Sequence, residues 1–337
     1  MITSFGMNNN KLVPLGDSLE RIQEAIWIDL FQPTHEEESE VERRVGLDVP
    51  TREEMQEIEL SSRLYEEGGA AFMTASILSH TDSDDVVISP ITFIVHGNKL
   101  ITVRYEDPRT FGAFTARGQR VGIACPSAGG IAVGLLEASV ERLADVLERT
   151  AHELELLSKE IFRPGDSASV KADAKQAPKR KTSVRATDFQ RVLVGVGRKG
   201  DLVSNVRDSL ITIRRLCTFF LTAMTDKKAS KDVIARVKTL ARDVESLSDH
   251  ATFQSQKVNF LLDATLGMLN IEQNAIIKIF SVAAVVFLPP TLLASIYGMN
   301  FKFMPELDWP VGYPFAIGLM ILSAILPYLF FKRRGWL

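Results

Sequence analysis

Cysteine is scarce in this sequence of 337 residues, with Cys125 and Cys217 its only two. Their separation matches no metal-ligand spacing and does not require a disulfide, so we expect reduced thiols in a body that faces the cytosol. The five histidines stand singly along the chain. This scatter argues against a histidine-based metal site or catalytic cluster.

A strong excess of charge is also missing. The net charge is −3 and the isoelectric point is about 6.0, so we expect no nucleic-acid partner. The N-terminus has no basic segment followed by an apolar run, which predicts no signal peptide. No phosphate-binding loop of the form G-x-x-x-x-G-K-[ST] and no nucleophile–base pair occur, so the chain is not expected to be an enzyme.

Two long uncharged runs do occur near the C-terminus. Residues 279–296 would span about 27 Å as a helix, close to the ~30 Å core of a bilayer. Residues 313–331 form a second such run, followed by a basic tail at 332–337. The alternative is a buried helical hairpin of a soluble domain. Two uncharged runs in tandem, followed directly by basic residues, make this alternative less favoured. The basic tail and Lys278 place both termini in the cytoplasm, so the protein is expected in the inner (plasma) membrane with an external loop at 298–312.

The first part of the chain, residues 1–117, is predicted to be a cytosolic α/β domain. Apolar or β-branched runs predict strands, for example at 24–30 and on both sides of a Gly97-Asn98 turn. Thr34 with Glu37 and Thr51 with Glu54 form capping boxes, which predict two helix starts. The second of these helices is expected to run through "REEMQEIEL". The sheet is expected to be mainly antiparallel or mixed.

The middle of the chain is predicted to be helical. Residues 118–228 have the apolar spacing of a helical hairpin, with a flexible tip at 163–183 that is rich in Ser, Ala, Lys and Pro. A long stalk helix at 229–297 is predicted to continue into the first membrane span at about 276–297. Such a helix cannot bury its apolar stripe alone, so it needs the preceding helices and further copies of the chain.

Small, amide and hydroxyl side chains recur at three- and four-residue steps along this span and its approach, with apolar collars at Ile277 and Leu288. The set is Asn270, Asn274, Ile277, Ser281, Ala284, Leu288, Thr291 and Ser295. Residues at this spacing share one face of a helix. Ordinary packing of membrane helices explains such a face. If several copies surround an axis, the same face would line a pore.

The stripe leads to Gly298-Met299-Asn300 at the outer end of the span. "YGMNF" followed by "MPEL", between two C-terminal spans with a basic tail, resembles the CorA family of divalent-cation channels. "WIDLFQPTHEEE", "EIELSSRLYEE" and "KRRGWL" fit the same family, so the resemblance covers essentially the whole chain. A second copy of the tripeptide at Gly6 to Asn8 has no such context, and we interpret it as a coincidence.

The resemblance implies an α+β cytosolic domain of the α/β/α sandwich type, a stalk helix and two membrane helices, assembled into a funnel-shaped homopentamer. It implies uptake of Mg²⁺, and also of Co²⁺ and often Ni²⁺, driven by the membrane potential. Gly298, Met299 and Asn300 would be the selectivity filter, with amides that hydrogen-bond the water shell of Mg²⁺. Glu306 and Asp308 would concentrate cations at the entrance. The pore-lining set would be Asn274, Ile277, Ser281, Ala284, Leu288 and Thr291.

Regulation by intracellular Mg²⁺ is also implied by the resemblance. Asp263 on the stalk would share a regulatory Mg²⁺ with Glu53 or Glu54 of the α/β domain and hold the pore closed. Asp263 stands in an apolar stretch, where a lone buried charge would need a partner. A solvated helix face is the alternative for both glutamates. The basic tail residues Lys332, Arg333 and Arg334 would surround the cytoplasmic exit of the pore. Alternatively, they would only set the orientation of the chain in the membrane.

Two other functions stay open on the sequence. A zinc transporter of the same superfamily would share the fold and the outer motif, although the full "MPEL" loop and the two collars favour magnesium. A membrane-anchored scaffold or sensor would use the two spans only as an anchor.

Overall fold

The computed structural model describes residues 1–16, 21–57, 59–83, 86–162, 183–225, 230–300, 304–305 and 309–335. These residues form seven strands and eight helices. The chain divides into two compact units. The first comprises Met1–Val170 with Leu193–Leu262, and the second comprises Lys171–Val192 with Asp263–Leu337.

The strands form one mixed sheet, as predicted. They are β1 (Ile2–Asn8), β2 (Lys11–Gly16), β3 (Trp27–Phe31), β4 (Leu64–Glu67), β5 (Ala70–Ser79), β6 (Val87–His96) and β7 (Lys99–Arg104). Their order is β2-β1-β3-β7-β6-β5-β4. The pair β3·β7 is parallel and the other neighbouring pairs are antiparallel.

Two tight turns fix the register of this sheet. The predicted Gly97-Asn98 turn joins β6 to β7, with His96 opposite Lys99, and Gly97 has the positive φ of 56° that favours glycine there. A hairpin between β1 and β2 was not predicted. Its turn residues Asn9 and Asn10 have φ of 48° and 62°, a conformation that asparagine tolerates better than most residues.

Both faces of the sheet are covered, which explains the continuous apolar run of β5. Alternate residues of β5 enter different cores: Met73 packs with the helices that cover one face, and Phe72 packs with the residues that cover the other. This gives the predicted sandwich-like α/β architecture, in which strands buried on both sides lose the polar alternation of a half-exposed sheet.

Both capping boxes are confirmed. Thr34 caps α1 (His35–Val45) and Thr51 caps α2 (Arg52–Gln56), each with reciprocal bonds to the glutamate three residues on. The predicted length of the second helix was wrong, because α2 ends at Gln56. Glu57 already has an extended ψ of 143°, and its carbonyl accepts a hydrogen bond from Arg63 Nε. That arginine ends the separate short helix α3 (Leu60–Arg63).

The remaining helices are α4 (Arg109–Arg120), α5 (Ala128–Phe162), α6 (Ser183–Thr225), α7 (Lys231–Tyr297) and α8 (Gly312–Arg333). Helix α4 crosses the boundary predicted between residues 117 and 118. It packs against α5 and the sheet, and Phe111 of α4 is buried in that core. The predicted flexible tip at 163–183 lies outside the described residues, except for Ser183, with which α6 begins.

Helix α7 confirms the long stalk helix of the predicted fold. It runs for 67 residues and contains Pro289 and Pro290 without ending there. Each proline removes one intrahelical hydrogen bond, a loss that membrane helices accommodate through neighbouring groups. At the start of the helix the Ser230 hydroxyl accepts a hydrogen bond from the Asp232 amide at 3.3 Å.

A buried ion pair ties β3 to β7. Both oxygens of Asp29 accept hydrogen bonds from Arg104, at 2.9 to 3.2 Å. Thr102 donates to Asp29 at 2.6 Å and accepts from Trp27 Nε1 at 2.9 Å. Arg104 also pairs with Asp107, whose side chain is 65% exposed. The buried charges of Asp29 and Arg104 are therefore fully hydrogen-bonded.

Both cysteines are unpaired thiols, Cys125 half-buried and Cys217 buried. Burial raises the pKa of Cys217 to about 12. Since the thiolate is the reactive form, Cys217 is an inert core residue at neutral pH.

Candidate functional site: an exposed stripe on the first apolar helix

Within the described residues, two helices are long and apolar enough to cross a membrane. They are α7, in its C-terminal part, and α8, with peak mean hydropathies of 2.1 and 2.0. Only 6% of each apolar window is buried within the chain. Large apolar side chains such as Phe280, Phe287 and Tyr313 are therefore exposed. In a single copy of the chain these surfaces are without the lipid or protein that would cover them.

All eight residues of the predicted stripe are exposed. The stripe runs along α7 from Asn270 to Ser295 without interruption. Its two apolar collars are among the more exposed side chains of the helix, Ile277 at 60% and Leu288 at 66%. The Thr291 hydroxyl donates to the Phe287 carbonyl at 2.7 Å, so its oxygen lone pairs stay available on the exposed face.

The opposite side of α7 is shielded. Val282 is buried, with only 4% of its surface exposed. The partly covered residues on the same side are Ala283, Val286, Pro289, Pro290, Leu293 and Tyr297. At about 100° per residue this set is centred roughly 180° from the exposed stripe. The side of α7 that is covered within the chain is therefore the side that the stripe does not occupy.

Helix α8 has one shielded stripe as well. Ala316 is buried, with only 8% of its surface exposed. The partly covered residues are Gly312, Leu319, Met320, Ser323, Ala324, Pro327 and Phe331. This helical spacing is the pattern of a helix that packs along one side. One shielded stripe on each helix is what two helices of a membrane hairpin are expected to have.

Gly298, Met299 and Asn300 form the turn that ends α7. The Gly298 amide donates to the Ala294 carbonyl at 3.0 Å and the Met299 amide donates to the Ile296 carbonyl at 3.2 Å. A Cβ on Gly298 would lie 3.1 Å from the Ala294 oxygen, so glycine allows this tight end of the helix. Asn300 follows as an exposed residue outside the helix. Asn300 thus lies directly after the end of the stripe.

The second copy of this tripeptide has a different structure. Gly6, Met7 and Asn8 lie in β1, in extended backbone, with Asn8 paired to Lys11 across the hairpin. The same three residues thus form a strand at one end of the chain and a helix end at the other. Context, not the tripeptide itself, determines the conformation.

The two acids of the outer loop, Glu306 and Asp308, lie outside the described residues. So does Lys302, whereas Met304 and Pro305 of the same loop are described. The predicted role of the two acids at the entrance stays a prediction.

Asp263 lies on the exposed face of α7. In the single chain its carboxylate is therefore not a buried charge, and its role as a regulatory ligand stays a prediction. It stands seven residues, about two turns, before Asn270 and thus on the same stripe. The sequence analysis singled out Asp263 but did not place it on the stripe, although extension of the three- and four-residue spacing would have done so.

Glu53 and Glu54 differ in what their carboxylates do. Glu54 Oε2 accepts hydrogen bonds from the Thr51 amide at 2.8 Å and the Thr51 hydroxyl at 3.0 Å. Glu53 is exposed, and in the described part of the chain it makes no hydrogen bond or ion pair. Of the two, Glu53 has the free carboxylate.

The basic tail residues Lys332, Arg333 and Arg334 are exposed, as is Lys278 on α7. The Arg334 guanidinium stacks over the Phe330 ring, 5.4 Å from its centroid. Among the described residues, no group of three or more His, Cys, Asp or Glu side chains is placed to hold a metal ion.

Comparisons with known proteins agree with the resemblance noted in the sequence. The family described as "CorA-like Mg2+ transporter protein" matches residues 23–333. The chain is 36% identical over 340 residues to the magnesium transport protein CorA of Haemophilus ducreyi, covering 100% of both chains. It is 34% identical over 338 residues to the protein of the same name from Escherichia coli, again over 100% of both.

A solved structure has the same fold. The complete structure of the CorA magnesium transporter from Methanocaldococcus jannaschii aligns with a TM-score of 0.73 at 19% identity, covering 100% of this chain and 99% of the other. At this identity the match concerns the fold alone.

Proposed function

The chain belongs to the family of CorA-like Mg²⁺ transporters, and on that basis we propose that it admits Mg²⁺ through a pore lined by the exposed stripe of α7. The observation that carries this proposal is the position of the stripe. It is exposed along its whole length, lies opposite the shielded side of the helix, and ends at the Asn300 amide.

A pore requires several copies of the chain, and we propose a homopentamer in the inner membrane with both termini in the cytoplasm. Around a common axis, each stripe would contribute one side chain to every ring of the pore lining. Rings of Asn274, Ser281 and Thr291 would offer oxygen atoms to a hydrated ion. Rings of Ile277 and Leu288 would form apolar constrictions, which close a pore by excluding water.

The outer mouth is the proposed selectivity filter. Mg²⁺ requires octahedral oxygen coordination and gives up its water slowly. A ring of Asn300 amides, with backbone carbonyls of Gly298, would accept hydrogen bonds from that water without stripping it. A ring of carboxylates would bind the ion more tightly and release it more slowly. Glu306 and Asp308 of the outer loop would instead raise the local cation concentration at the entrance.

The membrane potential would drive inward flux. It supplies about 2.3 kcal/mol per charge per 100 mV, and so roughly twice that for a divalent ion. Lys332, Arg333 and Arg334, together with Lys278, would lie at the cytoplasmic exit, where their positive charge suits the orientation of both spans.

The ions carried are tested by flux into proteoliposomes with an inside-negative potential. We expect uptake of Mg²⁺, uptake of Co²⁺ and Ni²⁺ at comparable concentrations, and loss of uptake when the potential is collapsed. Uptake of Zn²⁺ with exclusion of Mg²⁺ would assign the chain to the zinc-transporting alternative. Absence of flux for all four ions would contradict the proposed pore.

We propose that intracellular Mg²⁺ inhibits this passive flux. Asp263 and Glu53 are the proposed ligands, because Asp263 is exposed on the stripe and the carboxylate of Glu53 is free, whereas that of Glu54 is engaged in the cap of α2. With Mg²⁺ bound, carboxylates from several copies would be neutralised. Loss of the ion would leave them repelling each other and would loosen the closed assembly.

Removal of either proposed ligand should relieve this inhibition. We expect Asp263→Asn and Glu53→Gln each to raise the internal Mg²⁺ needed for half-inhibition by roughly tenfold, equivalent to ~1.4 kcal/mol of binding. The measurement is initial Mg²⁺ uptake into proteoliposomes loaded with increasing internal Mg²⁺. Glu54→Gln is the matched control, because glutamine still completes a capping box. Unchanged inhibition in the Asp263 and Glu53 variants would contradict their assignment.

A further inference from the structure

Three arginines lie together in the first unit. Arg63 ends α3, and Arg214 and Arg215 are exposed on α6. Arg63 Nε donates to the Glu57 carbonyl. Within the described residues, none of the three guanidinium groups forms an ion pair. We call this group the arginine patch.

The charges of the patch act on each other. The pKa of Arg63 is lowered, first by burial and then by the positive charge of Arg215. A cluster of like charges without a neighbouring carboxylate is unfavourable until an anion joins it. The patch is unusual in a chain whose net charge is −3.

Another arginine cluster in the same unit shows how this chain neutralises such charges. Arg109, Arg142 and Arg149 all pair with Asp82. The hydrogen bond from Arg142, together with the three positive charges, lowers the pKa of the Asp82 carboxyl. That cluster contains its anion within the chain. No carboxylate from the described part of the chain pairs with the arginine patch.

A groove of about 620 Å³ lies beside the patch. It is lined by Ser61, Leu64, Arg214, Arg215, Thr218 and Phe219. This volume is in the range of small-molecule sites, about 300–1,000 Å³. None of the described residues in this lining carries a carboxylate. The two guanidinium groups and the Ser61 hydroxyl supply donors, whereas the Thr218 hydroxyl already donates to the Arg214 carbonyl at 3.1 Å. Leu64 and Phe219 supply an apolar surface.

We propose that this groove binds a soluble anion that carries phosphate groups, of the class of pyrophosphate and the nucleoside polyphosphates. Guanidinium groups match phosphate oxygens with paired, charge-assisted hydrogen bonds. The Ser61 hydroxyl would add a donor, and the Leu64 and Phe219 surface suits the base of a nucleotide. The groove lies in the first unit, while the stripe and the mouth lie in the second. The inference therefore does not depend on the proposed pore.

Calorimetric titration of the purified full-length protein with sodium pyrophosphate and with ATP tests this assignment. A Mg²⁺-free buffer removes the heat of chelation. We expect saturable binding of at least one of the two ligands, weakening as salt is raised. The double substitution Arg214→Gln/Arg215→Gln should weaken binding by at least about tenfold, since hydrogen bonds to charged groups are lost. Arg120→Gln, at an exposed arginine of α4 away from the groove, should leave binding unchanged.

Three outcomes would overturn the assignment. The first is an absence of binding to both ligands at millimolar concentration, and the second is equal affinity in wild type and the double variant. The third is that the Arg214→Gln/Arg215→Gln substitution changes only the binding of anionic lipid in nanodiscs, which would assign the patch to lipid headgroups. Thermal denaturation of each variant checks folding. If the double variant is destabilised, Thr218→Glu, which brings a negative charge into the groove, should weaken ligand binding in its place.

Discussion

Replacing Asn300 with alanine is expected to lower Mg²⁺ flux by at least about 100-fold. The substitution removes one amide per copy from the proposed mouth, and about three lost hydrogen bonds at ~1 kcal/mol each would account for this factor. The backbone turn at Gly298 and Met299 does not use the Asn300 side chain, so the fold should persist. Initial rates of Mg²⁺ uptake into proteoliposomes, at matched protein density, measure the effect.

The chain supplies its own control for this experiment. Asn8 ends the second copy of the tripeptide, is also exposed, and lies in β1. Asn8→Ala should leave flux within about twofold of wild type, since this residue belongs to a different unit from Asn300 and exposed surface substitutions are usually mild. Flux in the Asn300→Ala protein equal to that of wild type would contradict the proposed amide filter.

The second large effect is expected at Asp29 in the α/β unit. Asp29→Ala would leave Arg104 buried without its main partner, because the Arg104 side chain is only 9% exposed. Breaking one side of a buried ion pair costs about 3–5 kcal/mol of unfolding free energy. Denaturant unfolding of the full-length protein in detergent, followed by fluorescence, should show this loss, since the buried Trp27 belongs to the same hydrogen-bond network.

Asp107→Ala is the matched control, since Asp107 pairs with the same arginine but is 65% exposed. Exposed pairs contribute about 0–1 kcal/mol, so this variant should unfold close to wild type. An equally small effect at Asp29 would mean that water reaches Arg104 and that the pair does not stabilise the sheet.

Local signals explain why much of the fold could be predicted. The capping boxes of Thr34 and Thr51 depend on residues three positions apart, and the Gly97-Asn98 turn depends on two neighbours. The end of α2 at Gln56 could not be predicted in this way, because the segment after it is held by a contact from Arg63. Helix α4 was missed because tertiary packing of residues such as Phe111 outweighs the modest helix propensity of its sequence.

For the candidate site, too, some features could be predicted from the sequence and others needed the structure. The spacing of the stripe from Asn270 to Ser295 is a property of the sequence, whereas its position opposite the shielded side needed the structure. The different states of the Glu53 and Glu54 carboxylates also became visible only with the hydrogen bonds of the α2 cap. Asp263 was singled out as an acid in an apolar stretch, but its exposure depends on the side of α7 it occupies.

The orientation of α7 around a water-filled axis is the central claim, and thiol modification tests it most directly. In protein with Cys125 and Cys217 replaced by alanine, a cysteine at Ala284 would lie on the exposed stripe, and one at Val282 on the shielded side. Flux through the Ala284→Cys protein should stop when a small charged methanethiosulfonate reagent is added, while flux through the Val282→Cys protein should continue. Block at Val282 with no effect at Ala284 would show that the stripe does not line the pathway.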